Sequence, residues 1–163
     1  NIVLSHRNSI SFRLATIFGS SYRMRTDLMV NNFTLRALNE SSLEIFEPNF
    51  RRNFIHVRDV VDCIIFTINN FSKMKKNVFN AGLNSANITK LQLAQLIKKK
   101  VKNLKIKIIK GKKDPDQRDY FVSNNKLNKK GFFAKRSLEY GIAELIKGFN
   151  ISDLKIKNNY WIS

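Results

Sequence analysis

The chain has 163 residues, 43% of them hydrophobic, which is sufficient for one compact domain with a buried core. Its single cysteine, Cys63, excludes an internal disulfide, and its two histidines, His6 and His56, lie too far apart in sequence to suggest a zinc site. No apolar run is long enough to span a bilayer, and the first residues lack the pattern of a signal peptide. We therefore expect a cytoplasmic protein with no metal and no membrane partner.

The charge of the chain is strongly positive. Thirty Lys and Arg residues against twelve Asp and Glu give a formal net charge of +18, which would suit a polyanionic partner. Much of the excess is lysine in short runs, as at 98–100 and 110–113, and Lys, Asn and Ile together are favoured by AT-rich coding sequence. A solvated lysine-rich surface is the favoured interpretation. A nucleic-acid surface and a phosphate-bearing small ligand are the alternatives.

The first predicted element is a strand over 10–18, a mostly apolar run that ends at Gly19. Continuous apolar runs of this length are typical of strands buried on both faces of a parallel sheet. Asp27 is predicted to cap a helix that extends to about residue 38. Short strands are predicted over 43–46 and 54–57, where apolar residues precede polar breaks.

A second helix is predicted after Asp59, which we expect to act as its cap. The apolar residues that we expect this helix to bury recur at helical spacing, and they are Val61, Ile64, Ile65 and Ile68. A buried strand over 78–81 follows. Thr89 is then predicted to cap a helix over 90–102.

The last third of the chain continues the alternation. A half-exposed strand is predicted over 105–109, where Lys and Ile alternate. A short helix over 124–130 is predicted to end at Gly131, and Ser137 is predicted to cap the final helix. Because strands and helices alternate from one end to the other, the sequence predicts an α/β fold.

Five segments resemble, in order and spacing, motifs of one enzyme family. They are FRLATIFG at 12–19, RRNFIHVRDV at 51–60, FNAG at 79–82, DQRDY at 116–120 and SLEYGI at 137–142. The family is the extended short-chain dehydrogenase/reductases of the NAD-dependent epimerase/dehydratase type, which modify nucleotide sugars. The chain departs from the family pattern at Ala134 and Lys135, where a proline is usual.

The resemblance implies the C-terminal part of a Rossmann-like extended short-chain dehydrogenase with its small substrate-binding domain. Residues 1–150 would contain the C-terminal Rossmann strands interleaved with the substrate-binding subdomain. Residues 151–163 would form a polar tail, and the N-terminal cofactor-binding half would be missing. The full-length protein would be an isomerase or lyase, and a homodimer is the usual assembly.

The resemblance also implies the site residues. Arg52 and Arg118 would bind the diphosphate of a sugar nucleotide, since guanidinium groups match phosphate oxygens in a bidentate manner. Two further residues, Thr16 and Asn31, would bind the substrate. Leu14 and Ala15 would face the nicotinamide of the cofactor. His56 and Asp59 are interpreted as structural, with a general-base role for His56 as the less favoured alternative.

The sequence contains neither the Gly-x-x-Gly-x-x-Gly turn that cradles a cofactor pyrophosphate nor a tyrosine with a lysine four positions later. We therefore expect that NAD or NADP is bound mainly by the missing half and that this chain has no catalytic residue of its own and is inactive alone. The alternatives are a basic nucleic-acid-binding domain and a stand-alone nucleotide-sugar binding module.

Overall fold

The computed structural model describes residues 5–111 and 118–151. The elements of its first part are β1 (Ile10–Leu14), β2 (Thr16–Phe18), α1 (Met29–Glu40), β3 (Ser42–Ile45), β4 (Arg51–Arg52), β5 (Phe54–His56), α2 (Val57–Asn69) and α3 (Phe71–Met74). The later elements are β6 (Asn77–Ala81), β7 (Ile88–Thr89), α4 (Lys90–Lys100), β8 (Lys105–Ile108), α5 (Asn125–Asn128) and α6 (Leu138–Ile151). The predicted α/β alternation is confirmed. Ile151, predicted as the first residue of the tail, is the last residue of α6, and 152–163 lie outside the described residues.

The strand predicted over 10–18 changes partner at Ala15. Its first part, β1, pairs in parallel with β6, and its second part, β2, pairs in parallel with β5. The backbone N–H of Ala15 still donates to the carbonyl of Ala81 at 2.9 Å, whereas that of Thr16 donates to the carbonyl of Asn53 at 3.1 Å. The switch places Thr16 beside the segment that carries β4 and β5.

Two hydrophobic clusters hold the described residues together. The larger lies among α1, α4, α6 and β3, and its fully buried members include Val30, Leu43, Leu93, Ile142 and Leu145. The smaller lies under α2 and includes Ile55, Val60, Cys63, Phe79 and Leu127. Each large apolar side chain that becomes fully buried contributes about 1.5–3 kcal/mol to folding.

Two of the predicted helix caps are confirmed. The side chain of Thr89 accepts a hydrogen bond from the N–H of Gln92, whose side chain accepts in return from the N–H of Thr89. Ser137 accepts at its Oγ from the N–H of Tyr140, at 3.1 Å, in the first turn of α6. Both caps are local contacts of three residues, which is why the sequence is sufficient to locate them.

The caps predicted at Asp27 and Asp59 are wrong. Helix α1 begins after Leu28 without a side-chain cap, and Asp27 is paired with Arg25 instead. Helix α2 begins after His56, whose Nδ1 accepts from the N–H of Arg58 at 3.2 Å. Neither predicted carboxylate caps its helix, because Asp27 binds Arg25 and Asp59 binds the loop before α6.

Asp59 holds the loop before α6 against α2. Its buried carboxylate accepts from the backbone N–H groups of Lys135 and Arg136, at 3.2 and 3.0 Å, and from Nη1 of Arg136 at 2.7 Å. Asp62, one turn further along α2, also pairs with Arg136, but its side chain is 48% exposed. The interpretation of Asp59 as a structural residue agrees with this geometry.

Replacing Asp59 by alanine is expected to destabilise the fold by about 2–3 kcal/mol, because it leaves two backbone donors and one guanidinium group without their buried acceptor. Asp62→Ala removes a carboxylate from the same arginine at the surface and should cost less than about 1 kcal/mol. Urea denaturation of both variants measures the difference. Equal losses in the two variants would contradict the anchoring role of Asp59.

The stripe predicted to be buried on α2 is exposed, and that prediction is wrong. Val61, Ile64, Ile65 and Ile68 are 51%, 49%, 52% and 67% exposed; we call them the α2 apolar stripe. The helix instead buries Val60, Cys63 and Thr67. It is apolar on two faces, and helical periodicity alone does not determine which of them contacts the core. No described helix is long and apolar enough to cross a membrane.

Candidate functional site

A cavity of about 350 Å³ lies between the start of α1 and strand β4. Its lining combines cationic, polar and apolar side chains, namely Thr16, Asp27, Leu28, Met29, Asn32, Phe33, Arg52 and Arg118. The volume suits a small organic ligand. The cavity contains residues from four separate parts of the chain, so it exists only in the folded protein.

Arg52 forms a buried, cationic part of the wall. It lies on β4 and is only 2% exposed. Its Nη1 donates to the carbonyl of Arg51 at 2.9 Å, and its guanidinium carbon lies 5.4 Å from the ring centroid of Tyr120. Stacking of a guanidinium group on an aromatic face restricts its orientation. Arg52 is therefore suited to bind an anion in a fixed geometry.

Thr16 and Arg118 lie on the same cavity as Arg52. Thr16 is half-buried at the start of β2, and Arg118 is exposed and directly precedes Asp119. The structure thus brings together three of the four residues predicted to bind substrate. They are separated by dozens of residues in the chain, so only the resemblance could have grouped them.

Asn31, the fourth predicted residue, does not line the cavity. Its Oδ1 accepts from the N–H of Gly19 at 3.1 Å, and its Nδ2 donates to the carbonyl of Arg25 at 3.0 Å. The buried amide therefore joins the turn after β2 to α1. Asn32, one residue further along, lines the cavity instead. It could not be distinguished from Asn31 by its motif, because adjacent helical residues differ by about 100° in direction.

Leu14 and Ala15, predicted to contact the cofactor, lie at the carboxyl end of β1 and outside the cavity lining. Leu14 is 45% exposed, whereas Ala15 is buried. The carboxyl ends of parallel strands are where α/β sheets bind ligands. Leu14 therefore offers an apolar surface at the edge of the sheet that is suited to an aromatic ring.

The first turn of α1 adds to the positive potential of the cavity. It contains no acidic residue, and the N–H groups at a helix N-terminus favour anions. Among the described residues of the lining, Asp27, just before the helix, is the one that is acidic. A hydrogen bond from Arg25 holds the pKa of the Asp27 carboxyl below its usual value, and the same arginine neutralises its charge. Asp27 therefore does not cancel the positive charges of Arg52 and Arg118.

His56 is fully buried and packs against Phe18 and Tyr140, with ring centroids 5.3 and 5.6 Å away. Burial lowers the pKa of the imidazole, with the Glu144 carboxylate opposing the shift. Its Nε2 lies 3.3 Å from Oε1 of Glu144. Because neither ring nitrogen faces the cavity, the geometry favours the structural interpretation of His56.

Cys63 is buried, and burial raises the pKa of its thiol to about 11. The thiolate is the reactive form, so it becomes the main species only above about that pH. In the folded chain at pH 8 we expect no labelling of Cys63 by iodoacetamide on the time scale on which the urea-unfolded chain is fully labelled. Mass spectrometry measures both rates. Equal rates would show that the thiol is accessible and reactive.

No group of three or more His, Cys, Asp or Glu side chains within 5–111 and 118–151 is arranged to hold a metal ion. The polar groups that the described residues place on the cavity are instead two guanidinium groups, a hydroxyl, an amide and the Asp27 carboxylate, which is paired with Arg25. That donor set recognises oxyanions, and phosphate groups in particular.

Comparisons with known proteins identify relatives of the chain. The sequence model of the NAD dependent epimerase/dehydratase family matches residues 4–82. GDP-L-colitose synthase from Yersinia pseudotuberculosis is 33% identical over 122 residues, which are 74% of this chain and 37% of that protein. The chain thus spans little more than a third of this relative.

Solved structures show the same fold over about half of their length. ADP-L-glycero-D-manno-heptose-6-epimerase from Helicobacter pylori superposes with a TM-score of 0.74 and 21% identity, over 93% of this chain and 48% of that one. dTDP-glucose 4,6-dehydratase from Bacillus anthracis gives a TM-score of 0.76 and 18% identity, with coverages of 93% and 49%. UDP-glucose 4-epimerase from Thermotoga maritima gives a TM-score of 0.72 and 25% identity, over 88% of this chain and 46% of that one.

The five motifs, the Rossmann-like parallel strands and the match to the family over the first half of the chain agree with one another. The chain belongs to the NAD-dependent epimerase/dehydratase family of extended short-chain dehydrogenases.

Proposed function

We propose that this chain is the substrate-binding part of an NAD(P)-dependent nucleotide-sugar epimerase or dehydratase. In this proposal, Arg52 and Arg118 bind the diphosphate and Thr16 contacts the substrate nearby. The observation that carries it is the convergence of these three residues on one cavity. A diphosphate carries several oxygens at adjacent positions, and two guanidinium groups can each take two of them.

Related proteins support the ligand class. The UDP-glucose 4-epimerase from Thermotoga maritima was solved with UDP-glucose, and the dTDP-glucose 4,6-dehydratase from Bacillus anthracis was solved with NAD. Their names specify different nucleotides and reactions, so we propose the class of ligand and not one base or one sugar. In this proposal, Asn31 stabilises the site without contacting the ligand, because its amide holds the turn that precedes α1.

The cofactor would be held mainly by a unit outside this chain. When bound, NAD or NADP supplies the hydride chemistry. Of the residues present, Leu14 and Ala15 could contact only one edge of such a ligand. The exposed Leu14 side chain could contact its nicotinamide ring. The glycine turn for the pyrophosphate and the Tyr–Lys pair are not in the sequence. The chain alone should therefore bind substrate without turning it over.

The surface of α2 indicates where that unit would lie. One flank of the helix is covered by the loop before α6, with Phe66 5.7 Å from Phe132 between ring centroids and Asp62 paired with Arg136. The other flank is the exposed α2 apolar stripe. Within the described residues, β1 pairs only with β6, so its other edge is open. An open edge and an apolar flank are both surfaces that proteins normally cover, and we propose that the cofactor-binding unit covers them. A homodimer of the completed protein is part of the same proposal.

Calorimetric titration of the chain with UDP-glucose, dTDP-glucose and GDP-mannose tests the function. We expect at least one of them to bind about tenfold more tightly than the matching nucleoside monophosphate. NAD alone should show no measurable binding. No preference for the diphosphate would contradict the proposal.

A nucleic-acid-binding domain is the alternative that the net charge of +18 favours. It predicts tighter binding to a DNA duplex than to any sugar nucleotide, with an affinity that falls steeply as salt increases. Titration with a duplex at two salt concentrations distinguishes the two functions. A stand-alone nucleotide-sugar binding module would instead show a cooperative, high-temperature unfolding transition in the chain alone.

A further inference from the structure

The 118–124 segment crosses the molecule without forming a helix or strand and is held there by side chains. The amide of Asn87 both accepts from the N–H of Val122, at 2.9 Å, and donates to its carbonyl, at 3.0 Å. Asn80 donates to the carbonyl of Ser123 at 3.1 Å. These amides make the contacts that a neighbouring strand would otherwise make.

The beginning of the segment is attached to β4 by Arg51 and Asp119. The carboxylate of Asp119 accepts from the backbone N–H of Arg51 at 2.9 Å and from its Nε and Nη2 at 3.1 and 3.3 Å. The N–H of Tyr120 points back to the carbonyl of Arg51 at 3.5 Å. The hydrogen bonds from Arg51 hold the pKa of the Asp119 carboxyl below its usual value, so the pair stays charged at neutral pH.

Asp119 lies between two residues that shape the cavity. Arg118, immediately before it, lines the cavity, and Tyr120, immediately after it, lies under the guanidinium group of Arg52. One attachment point is therefore next to both cavity arginines, directly beside Arg118 in the chain and connected to Arg52 through the ring of Tyr120. Exposed ion pairs contribute little to stability, and both side chains of this pair are exposed, 50% for Arg51 and 38% for Asp119. A role in stability is thus a poor explanation for so complete a set of contacts.

We propose that Asp119 is a positioning residue, whose contacts with Arg51 fix the separation of the Arg52 and Arg118 guanidinium groups and so match the cavity to a diphosphate. The inference depends on the proposed function, because it assigns to those arginines the phosphate groups of a sugar nucleotide. Tyr120 acts in the same way on Arg52, through its ring and not through its hydroxyl group.

Positioning and simple electrostatics predict opposite effects for one substitution. Asp119 carries a negative charge next to an anion-binding cavity, so its removal should tighten anion binding if charge alone matters. If Asp119 positions the arginines, its removal should weaken that binding, because the two guanidinium groups no longer hold one geometry. The sign of the change is therefore decisive.

The experiment is calorimetric titration of wild type and variants with inorganic pyrophosphate and with UDP, at low ionic strength. Asp119→Asn is expected to weaken the binding of pyrophosphate and of UDP by about tenfold. A loss of this size corresponds to one charge-assisted contact. The matched control is Glu40→Gln, which breaks another exposed arginine pair, that of Arg36 and Glu40, at the far end of α1 from the cavity. It changes the net charge equally and should leave both affinities unchanged.

Three further substitutions separate positioning from a loss of fold. Tyr120→Phe keeps the ring under Arg52 and should bind like wild type, whereas Tyr120→Leu should weaken pyrophosphate binding about as much as Asp119→Asn. Asp119→Glu keeps the charge but shifts the carboxylate, and it should also weaken binding. Thermal unfolding verifies that each variant is folded.

The outcomes distinguish this inference from the proposed function. Unchanged or tighter binding in Asp119→Asn, with binding by the wild type, overturns the positioning role alone. If the wild type binds neither pyrophosphate nor UDP, the proposed function is overturned and the positioning role with it.

Discussion

Arg52→Ala is expected to weaken the binding of a nucleoside-diphosphate sugar about a hundredfold, in a protein completed by its cofactor-binding unit, and to leave NAD(P) binding nearly unchanged. The buried guanidinium group is fixed by Tyr120 and by the carbonyl of Arg51, so it needs little reordering when it binds phosphate. Loss of two charge-assisted hydrogen bonds accounts for an effect of this size. Calorimetric titration with each ligand measures it.

Two variants serve as controls for this prediction. Arg52→Lys keeps the positive charge but not the planar fork, and about a tenfold loss is expected from it. Arg36→Ala removes one positive charge from the outer surface of α1, where Arg36 pairs with Glu40, and should change neither affinity. An equal loss of sugar-nucleotide and NAD(P) binding in Arg52→Ala would show that the substitution disturbs the fold and would remove the assigned role.

Gly141→Ala should destabilise the fold by about 2 kcal/mol net. A Cβ at Gly141 would lie 2.3 Å from Cε2 of Phe18 and 3.0 Å from Cδ2 of His56. Both rings are buried, so they cannot move away without disrupting the contact between α6 and the β2–β5 pair. Overpacking of this kind costs about 1–3 kcal/mol or more, and the gain of about 1 kcal/mol from replacing glycine in a helix offsets part of it.

Gly148→Ala, in the same helix, is the matched control. There the new Cβ would lie 3.0 Å from the hydroxyl oxygen of Ser20, a small group that can rotate away. The variant should be neutral or more stable by up to about 1 kcal/mol. Urea denaturation of both variants gives the comparison. A Gly141→Ala protein as stable as Gly148→Ala would mean that α6 does not pack against Phe18 as described.

The fold could be predicted wherever the signal is local. Strands were located from continuous apolar runs, and the caps at Thr89 and Ser137 depend on residues only three positions apart. The predictions at Asp27 and Asp59 were wrong because those carboxylates bind other groups, the neighbouring Arg25 and the distant Arg136. The α2 apolar stripe has the periodicity of a buried face, and the sequence pattern does not show which part of a protein covers it.

The candidate site could be predicted from the sequence less completely than the fold. Thr16, Arg52 and Arg118 have no shared pattern in the chain, and only the family resemblance grouped them before the structure placed them on one cavity. The pairing of Arg51 with Asp119 joins residues far apart in sequence, and no motif predicts it. Their roles remain predictions that the titrations above test.

The topology of the strands also bears on how fast the chain can fold. Each of the four described strand pairs joins segments that are distant in sequence, such as Ile10 with Asn77 and Ser42 with Lys105, and none is a hairpin. Long loops must close, at a cost in entropy, before any of these pairings can stabilise the chain. Such topologies fold slowly, on the order of milliseconds to seconds. During that time apolar segments are exposed to other chains. Refolding yield should therefore fall as protein concentration rises, and synthesis at low temperature should favour the native protein over aggregates.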